Sequence, residues 1–364
     1  MSEDNPINFL FWNDKELYDP KTRQIVLDSV TMKIPNCKMY MVSTLDNFYR
    51  DFSAQRTLDA VKAGKFRANA FCRRDEHSKL FGKGWVENKI IKQCHEMGIK
   101  TLSYDFGYLG HYETFMVDTY GPNGESSIYV DWPTVSDEVD WSTTPDYVQD
   151  YRKKFLEKIE KAKNEPPVDG LVSGQYVVIW PQYSMDLLRP EFKKGSEVRT
   201  EVTTWLNRCA DIVRNAGLTP VIKGGPALPD WSRLNVADVN VNNFYLHNEN
   251  HLKDPRVTGG KCIKDINHKL IAHAKYHIVG QSSVTNELVL ADAPVVAMGQ
   301  SWFNKLDIFQ EPMSWETALN EPLRINKKAR NKWINWWLSK QVKKEDAAQK
   351  FVEIYNKYPL INVA

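Results

Sequence analysis

The sequence predicts an α/β protein made of two Rossmann-like domains, and three observations support this. Short apolar segments rich in β-branched residues alternate with amphipathic helical segments, as in parallel sheets whose strands are joined by helices. The alternation is interrupted once, by a proline-containing stretch near residue 166, and then resumes. With 364 residues, the chain is long enough for two such domains, each with its own hydrophobic core.

Four segments of the first half predict strands, and two predict helices. The helices are expected at Phe52–Ala63 and Gly84–Met97, the second ending at Gly98, because glycine accepts the left-handed conformation that closes a helix. The predicted strands are Ile7–Trp12, Lys38–Ser43, Ala68–Cys72 and Thr101–Tyr104.

A charged helical segment, Tyr151–Asn164, closes the first half, and Pro166–Gly174 has the composition of a linker. We therefore expect a first domain at 1–166, a second at 175–320 and a helical tail at 321–364. In the second half the predicted elements are strand Tyr176–Trp180, helix Glu197–Ala216, strand Thr219–Lys223 and a strand near Val239–Phe244.

The stretch from Tyr276 to Gly299 predicts a βαβ unit. Tyr276–Val279 and Pro294–Met298 are strands expected to be buried on both faces, and Ser282 or Ser283 can cap the helix between them. Such a unit presents a Gly-Gln-Ser-Ser loop at the carboxyl end of a strand, where backbone N–H groups and a helix N-terminus bind anions. The alternative is that the serines only cap the helix.

Residues 282–303, SSVTNELVLADAPVVAMGQSWF, resemble the nucleotide-sugar-binding signature of the capsule-polysaccharide (Kdo-transferase-type) glycosyltransferases. The resemblance implies the GT-B fold, with the donor mostly on the second domain and a C-terminal helical tail that crosses back to the first. It also implies that the donor is held by Gln281, Ser282, Ser283 and Glu287.

Two further segments resemble the family's donor domain. Residues 180–186, WPQYSMD, resemble its Pro-Leu-Gln segment, which implies that Gln182 and Ser184 also bind the donor. Lys223 matches a lysine that would contact the donor phosphate as a point charge. The His-Pro pair that usually follows is replaced by Gly-Gly-Pro, whose backbone N–H groups could still meet a phosphate. This departure leaves the nucleotide and the sugar open.

Residues 104–113, YDFGYLGHYE, follow a predicted strand and resemble the family's acidic-x-Gly-Tyr-Leu-Arg segment, with Gly110 in place of the arginine. Sugar transfer needs a base for the acceptor hydroxyl or a carboxylate at the reacting carbon. Asp105, His111 and Glu113 are the candidate catalytic residues, with Asp105 preferred for its spacing. The alternatives are a turn cap, a surface ion pair or a loop histidine.

Metal ions and cofactors are not expected. The ligand-type cluster His247, Glu249 and His251 is more typical of a solvated loop. The five cysteines are scattered, without CxxC pairs, which fits a reduced cytoplasmic protein without a zinc site. No signal peptide or membrane span is evident, so the expected compartment is the cytoplasm, of the host cell if the protein is phage-encoded.

The tail is basic on a chain whose net charge is only +2. Between Arg324 and Lys344 there are eight basic residues and no acidic one, and the tryptophans among them are expected to pack inward. The basic face predicts a polyanionic partner, DNA or an anionic membrane surface. The candidate nucleic-acid-binding residues are Arg73, Arg74, Lys327, Lys328, Arg330 and Lys332.

Taken together, these features predict a nucleotide-sugar-dependent glycosyltransferase. A hydroxymethylated pyrimidine in DNA, such as hydroxymethylcytosine, is the preferred acceptor, as in bacteriophage DNA modification, because it accounts for the basic tail, the missing His-Pro pair and the absence of a membrane segment. A capsule or lipopolysaccharide sugar is the alternative acceptor. A catalytically inactive DNA- or glycan-binding module is the non-enzymatic alternative.

Overall fold

The structure is a computed structural model, and it divides into two compact units. Unit 1 comprises Met1–Val135 and Asn335–Ala364, and unit 2 comprises Ser136–Ile334. The structure describes only the backbone of residues 8–13, 38–43, 70–74, 103–106 and 196–201. The residues that it describes are 8–13, 38–43, 59–64, 70–74, 93–110, 113–119, 127–168, 170–181, 196–225, 238–246, 260–263, 265–280, 282–298, 305–312, 314, 318–320 and 323–357.

Unit 1 contains a six-stranded mixed sheet in the order β12-β5-β4-β3-β1-β2. Strands β1 to β4 pair in parallel, and the antiparallel strands β5 and β12 extend the sheet beyond β4. The parallel part has the order of a doubly wound fold. Its strands are β1 Asn8–Asn13, β2 Lys38–Ser43, β3 Ala70–Arg74, β4 Lys100–Phe106, β5 Thr114–Asp118 and β12 Gln341–Lys343.

The last part of the C-terminal tail, Asn335–Ala364, belongs to unit 1, which confirms the predicted return of the tail to the first domain. Strand β12 pairs with β5, and helix α7 (Ala347–Lys357) packs on β5 and β4. Just before β12, the Trp336 indole and the Lys340 ammonium both reach the carboxylate of Asp131, Lys340 at 3.0 Å. Asp131 ends the short helix α1 (Ile128–Asp131), so buried polar contacts as well as a strand attach the tail.

Unit 2 contains a six-stranded sheet in which every pair is parallel, in the order β11-β10-β6-β7-β8-β9. Strands β6 to β9 follow one another toward one side of the sheet, and β10 and β11 then continue on the other side of β6. The boundary between β6 and β10 is therefore a topological switch point, the place where α/β sheets bind ligands. The strands are β6 Tyr176–Trp180, β7 Thr219–Lys223, β8 Asn243–Leu246, β9 Lys261–Cys262, β10 Tyr276–Val279 and β11 Val295–Ala297.

Among the residues that the structure describes, four helices accompany this sheet, and a fifth runs from unit 2 into unit 1. Apolar side chains of α3 form the unit 2 core with β6, β7 and β8. The helices are α2 Asp146–Lys163, α3 Ser196–Asn215, α4 Asn267–His273, α5 Val284–Leu290 and α6 Lys327–Lys340.

Helix α2 belongs to unit 2, so the first unit ends at residue 135 instead of near 166 as the sequence suggested. The reason is its contact with α4, since His273 Nε2 donates to the Ala162 carbonyl at 2.8 Å. Lys269 also pairs with Glu165 at 2.7 Å. The sequence predicts α2 to be the last helix of the first domain, but the helix packs as the first helix of unit 2.

The predicted βαβ unit is confirmed as β10, α5 and β11, with the two strands paired in parallel. Its capping differs from the expectation. Ser283 occupies the N-cap position with helical dihedral angles, and its hydroxyl makes no capping hydrogen bond. Both domains of the predicted two-domain Rossmann-like fold are present.

Candidate functional site

Unit 2 contains a pocket of about 570 Å³ next to the carboxyl ends of β7 and β9. Helices α2, α4 and α5 supply the rest of its wall. Because parallel strands end at the same edge of a sheet, residues that follow different strands meet here. The lining residues are Tyr151, Lys154, Phe155, Lys158, Lys223, Ile263, Asp265, Asn267, His268 and Glu287.

Lys223 is the last residue of β7, and its side chain lines the pocket although the residue is only 4% exposed. Its Nζ donates to the Gly224 carbonyl at 2.6 Å. Burial lowers the pKa of Lys223 from 10.5 to about 8, because the ammonium has lost hydration. An ammonium has three N–H donors, and among the described residues this one carbonyl is its acceptor, so the site is suited to an anion.

Glu287 projects from α5 and accepts a hydrogen bond at Oε1 from the Tyr151 hydroxyl, at 3.1 Å. Burial raises the pKa of Glu287, and the hydrogen bond from Tyr151 partly offsets this. Burial also raises the pKa of Tyr151 above its usual range, and the neighbouring carboxylate adds to the effect. The raised pKa of Tyr151 keeps the phenol neutral and able to donate, and the raised pKa of Glu287 shifts its carboxyl toward the neutral form, an effect that the Tyr151 hydrogen bond opposes.

Helix α2 presents Tyr151, Lys154, Phe155 and Lys158 to the pocket, a spacing that lines one helical face. The rings of Tyr151 and Phe155 are stacked, with centroids 6.4 Å apart and planes inclined by 15°. Neither lysine pairs with a carboxylate in the described part of the chain. The face therefore combines an aromatic surface with two cations.

The segment after β9 completes the wall with Asp265 and His268. Burial lowers the pKa of His268, and the charge of Lys158 contributes in the same direction, while Asp265 opposes it. His268 is therefore neutral at physiological pH and can donate or accept a hydrogen bond without adding charge.

The structure brings together two of the predicted donor-binding residues, Lys223 and Glu287. Ser282 and Ser283 lie at the start of α5 outside the pocket lining. The other predicted donor-binding residues, Gln182, Ser184 and Gln281, lie outside the described residues.

One feature of the Gly-Gly-Pro turn differs from the expectation that its backbone N–H groups are free for a phosphate. The N–H of Gly224 donates to the Tyr245 carbonyl at 2.8 Å, so it is occupied within the sheet edge. In the described structure, the part of this turn that lines the pocket is the side chain of Lys223.

Sequence reasoning missed the contribution of α2. Tyr151, Lys154, Phe155 and Lys158 lie at the i, i+3, i+4 and i+7 positions of one helix, a pattern that could have indicated a shared face. What the pattern could not indicate is that α2 packs in unit 2, beside residues that follow it by more than a hundred positions.

Two of the candidate catalytic residues, Asp105 and Glu113, lie in or next to strands β4 and β5 of the unit 1 sheet. Asp105 is in β4, paired with Met116 of β5, and only its backbone is described. Glu113 is exposed in the turn before β5, and its carbonyl accepts a hydrogen bond from the Lys344 N–H at 3.2 Å. His111 lies outside the described residues.

The residues predicted to bind nucleic acid fall into two environments. Lys327 and Lys328 are exposed and pair with Asp292 at 3.6 Å and with Asp137 at 3.4 Å. Lys332 is half-buried, and the side chains of Arg73 and Arg74 are outside the described structure.

Arg330 differs from the expectation of a surface residue, because it is only 2% exposed. Its guanidinium donates to the Ala293 carbonyl at 2.7 Å and to the Ile308 carbonyl at 3.3 Å. The residue therefore ties the first part of α6 to other segments of unit 2 through Nε and Nη2, while Nη1 is buried without a hydrogen-bond partner among the described residues.

Within the described ranges there is no group of three or more His, Cys, Asp or Glu side chains placed to hold a metal ion. The cluster His247, Glu249 and His251 lies outside them. None of the helices in the described part of the chain has the length and hydropathy needed to cross a bilayer.

Comparison with known proteins gives structural similarities at low sequence identity. No protein-family model matches the chain, and no curated protein matches it. Among solved structures, the KpsC β-Kdo 2,7 transferase of Thermosulfurimonas dismutans is similar with a TM-score of 0.46 and 12% identity, over 95% of this chain and 99% of that one.

Two further solved structures illustrate the range of these similarities. The KpsC β-Kdo 2,4 transferase of the same organism has a TM-score of 0.43 and 12% identity, over 90% of this chain and 89% of that one. A UDP-GlcNAc 2-epimerase of Methanocaldococcus jannaschii has a TM-score of 0.33 and 9% identity, over 97% and 100%. The assignment of two Rossmann-like domains rests on the two sheets described above.

Proposed function

We propose that this protein is a glycosyltransferase that moves a sugar from a nucleotide-sugar donor to a hydroxyl acceptor, with the donor in the unit 2 pocket. The observation that carries the proposal is Lys223, a buried ammonium that lines a pocket and has a single backbone acceptor among the described residues. Such a group is stabilised when an anion enters, and a donor phosphate is an anion.

The other pocket residues suit the remaining parts of a nucleotide sugar. Glu287 can accept hydrogen bonds from sugar or ribose hydroxyls, since an ionised carboxylate only accepts. The rings of Tyr151 and Phe155 offer an apolar surface to a base. Lys154 and Lys158 place two more cations beside the pocket, which favours the negatively charged leaving group.

For the chemical step we retain Asp105 as the proposed base or carboxylate at the reacting carbon, with His111 and Glu113 as further candidates. Asp105→Asn removes the charge and keeps the size of the side chain. If the assignment holds, this variant loses sugar transfer and still binds the nucleotide as the wild type does. Substantial remaining turnover would exclude Asp105 from the step.

For the acceptor we propose a glycan hydroxyl, as in capsule or lipopolysaccharide synthesis. The basic tail is the main reason to consider DNA as the acceptor, and the contacts of the tail weaken that reason. Arg330 and Lys340 are buried, while Lys327 and Lys328 pair with carboxylates from other elements. A hydroxymethylated pyrimidine in DNA is kept as an outcome of the test.

The first test is nucleotide binding. Thermal shift and calorimetry with UDP, CMP, GDP and dTDP should identify at least one ligand, and saturation at a hundred times Kd adds about 2.7 kcal/mol of stability. Lys223→Met should abolish that binding. Lys275→Met is the matched control, because it removes the same charge from an exposed residue that precedes β10 and does not line the pocket.

The second test is transfer. The protein is incubated with nucleotide sugars and either capsule-type oligosaccharides or hydroxymethylated DNA, and the products are weighed by mass spectrometry. A sugar mass on the oligosaccharide is the expected result, and a sugar mass on the base would restore the DNA acceptor. Nucleotide binding without any donor consumption would favour an inactive binding module, and no nucleotide binding would refute the proposal.

A further inference from the structure

Tyr151 makes the hydrogen bond to Glu287 that joins two walls of the unit 2 pocket, α2 and α5. We infer that Tyr151 is a positioning residue, which fixes the Glu287 carboxylate so that its second oxygen receives a hydroxyl group of the donor. This inference rests on the proposed function. It assigns a role to a helix that none of the donor-binding motifs in the sequence includes.

The geometry of the carboxylate supports this role. Glu287 Oε1 is held by the Tyr151 hydroxyl, whereas Oε2 has no hydrogen-bond partner among the described residues, and the residue lines the pocket. Holding one oxygen fixes the plane of the carboxylate before a ligand arrives. Binding then loses less side-chain freedom, so the affinity for a hydroxyl group increases.

The phenol is itself held in place. The Tyr151 ring stacks on Phe155 one turn further along α2, and both rings are half-buried. α2 in turn is fastened to α4 through the His273 contact with Ala162. The position of the Tyr151 hydroxyl is therefore set by the packing of unit 2 and not by Glu287 alone.

The hydrogen bond also affects the charge of Glu287. The other charged or titratable groups that line the pocket with Glu287 come from α2, β7, the β9–α4 connection and α4, namely Lys154, Lys158, Lys223, Asp265 and His268. Burial raises the pKa of Glu287, and the Tyr151 hydrogen bond is the first of the influences that lower it, ahead of Lys158. Without the phenol, Glu287 should take up its proton at a higher pH.

The test uses Tyr151→Phe, which removes the hydroxyl and keeps the ring stacked on Phe155. UDP and CMP are each titrated by calorimetry between pH 5.5 and 8. At pH 8 we expect affinity to fall by about three- to tenfold, the range for a hydrogen bond to a charged group. At pH 5.5 the loss should be larger, because the variant loses the Glu287 charge first.

The matched control is Tyr276→Phe, which removes a hydroxyl at the start of β10, at the opposite edge of the sheet from the pocket. It should bind like the wild type at every pH. If Tyr151→Phe and the wild type show parallel pH profiles, Tyr151 does not act on the charge of Glu287 and the inference is overturned.

A double-mutant cycle separates positioning from general loosening of the helix. In the Glu287→Gln background, Tyr151→Phe should have no further effect on the pH profile and little on affinity. An equal effect in both backgrounds would show that the phenol acts elsewhere and would overturn the inference while leaving the proposed function intact. If the wild type binds neither nucleotide, the proposed function fails, and the inference fails with it.

Discussion

Replacing Lys223 with methionine should make the protein more stable while it removes the anion site. Methionine matches the length of the lysine stem and has no charge. The native side chain holds an ammonium in a nearly inaccessible position, with one hydrogen bond, to the Gly224 carbonyl, among the described residues. In the absence of a ligand, the folded state carries the unfavourable free energy of that burial.

The size of the effect follows from the pKa. Burial lowers the pKa of Lys223 from 10.5 to about 8. Because a tenfold change in an equilibrium corresponds to about 1.4 kcal/mol, the buried charge destabilises the fold by about 3 kcal/mol. Losing the hydrogen bond to Gly224 costs about 1 kcal/mol. The net gain for Lys223→Met at pH 7 is therefore about 2 kcal/mol.

The gain should depend on pH in a defined direction. Below pH 8 both the folded and the unfolded wild type hold the proton, so the destabilisation is fully present. Between pH 8 and 10.5 the unfolded chain binds more protons than the folded one, and the stability of the wild type rises with pH. By pH 9.5 it recovers about 2 kcal/mol, and the advantage of the variant nearly disappears.

Urea unfolding at pH 7 and 9.5, followed by circular dichroism, measures both quantities. The same titration on Lys275→Met is the control, because an exposed charge should change stability by less than about 0.5 kcal/mol. A Lys223→Met variant that is less stable than the wild type at pH 7 would contradict the reasoning. It would mean that the ammonium is stabilised by partners beyond the single carbonyl acceptor seen among the described residues.

Two more perturbations test the packing of unit 1. Lys340→Met leaves the buried carboxylate of Asp118 without its cation and should lower the free energy of unfolding by about 3–5 kcal/mol, measured in urea. Gly107→Ala places a Cβ onto the Thr114 hydroxyl and should lower the stability by about 1–3 kcal/mol. Gly98→Ala, where φ is +73° and no atom lies within 4 Å of the added Cβ, should cost only about 1 kcal/mol, from strain alone, in the same urea unfolding experiment.

The parallel strands could be predicted from the sequence because each is a short apolar segment that can be recognised by itself. The predicted strands Lys38–Ser43, Tyr176–Trp180, Thr219–Lys223 and Tyr276–Val279 have the same bounds in the structure. In unit 2 they are apolar segments almost wholly buried, as strands covered on both faces must be.

The antiparallel strands could not be predicted in this way. β12 is Gln341–Lys343, a polar segment of three residues that becomes a strand only because β5 supplies its hydrogen bonds. The strand expected near Val239–Phe244 begins at Asn243 instead. Val239 and Val241 are buried although they lie in the turn before the strand. Apolar residues in the sequence therefore do not mark where this strand begins.

The candidate site was predictable to the extent that its residues follow strands. Lys223 ends β7 and Glu287 follows β10, so both were expected at the carboxyl edge of one sheet. Tyr151 has no such signal, because its role depends on how a helix packs against a residue 136 positions later. A single sequence shows that Lys223 is charged and that Tyr151 is aromatic, but it does not show how far either residue lies from Glu287.

The basic tail shows why a run of like charge along a chain is a poor measure of the field at the surface. No acidic residue lies within the run, yet Asp292 and Asp137 come from other parts of unit 2 to meet Lys327 and Lys328. Exposed pairs of this kind add little stability, but each cancels most of the charge that a polyanion would meet. Attraction of this segment to DNA should therefore be weak, so an acceptor such as DNA would have to be recognised through other residues.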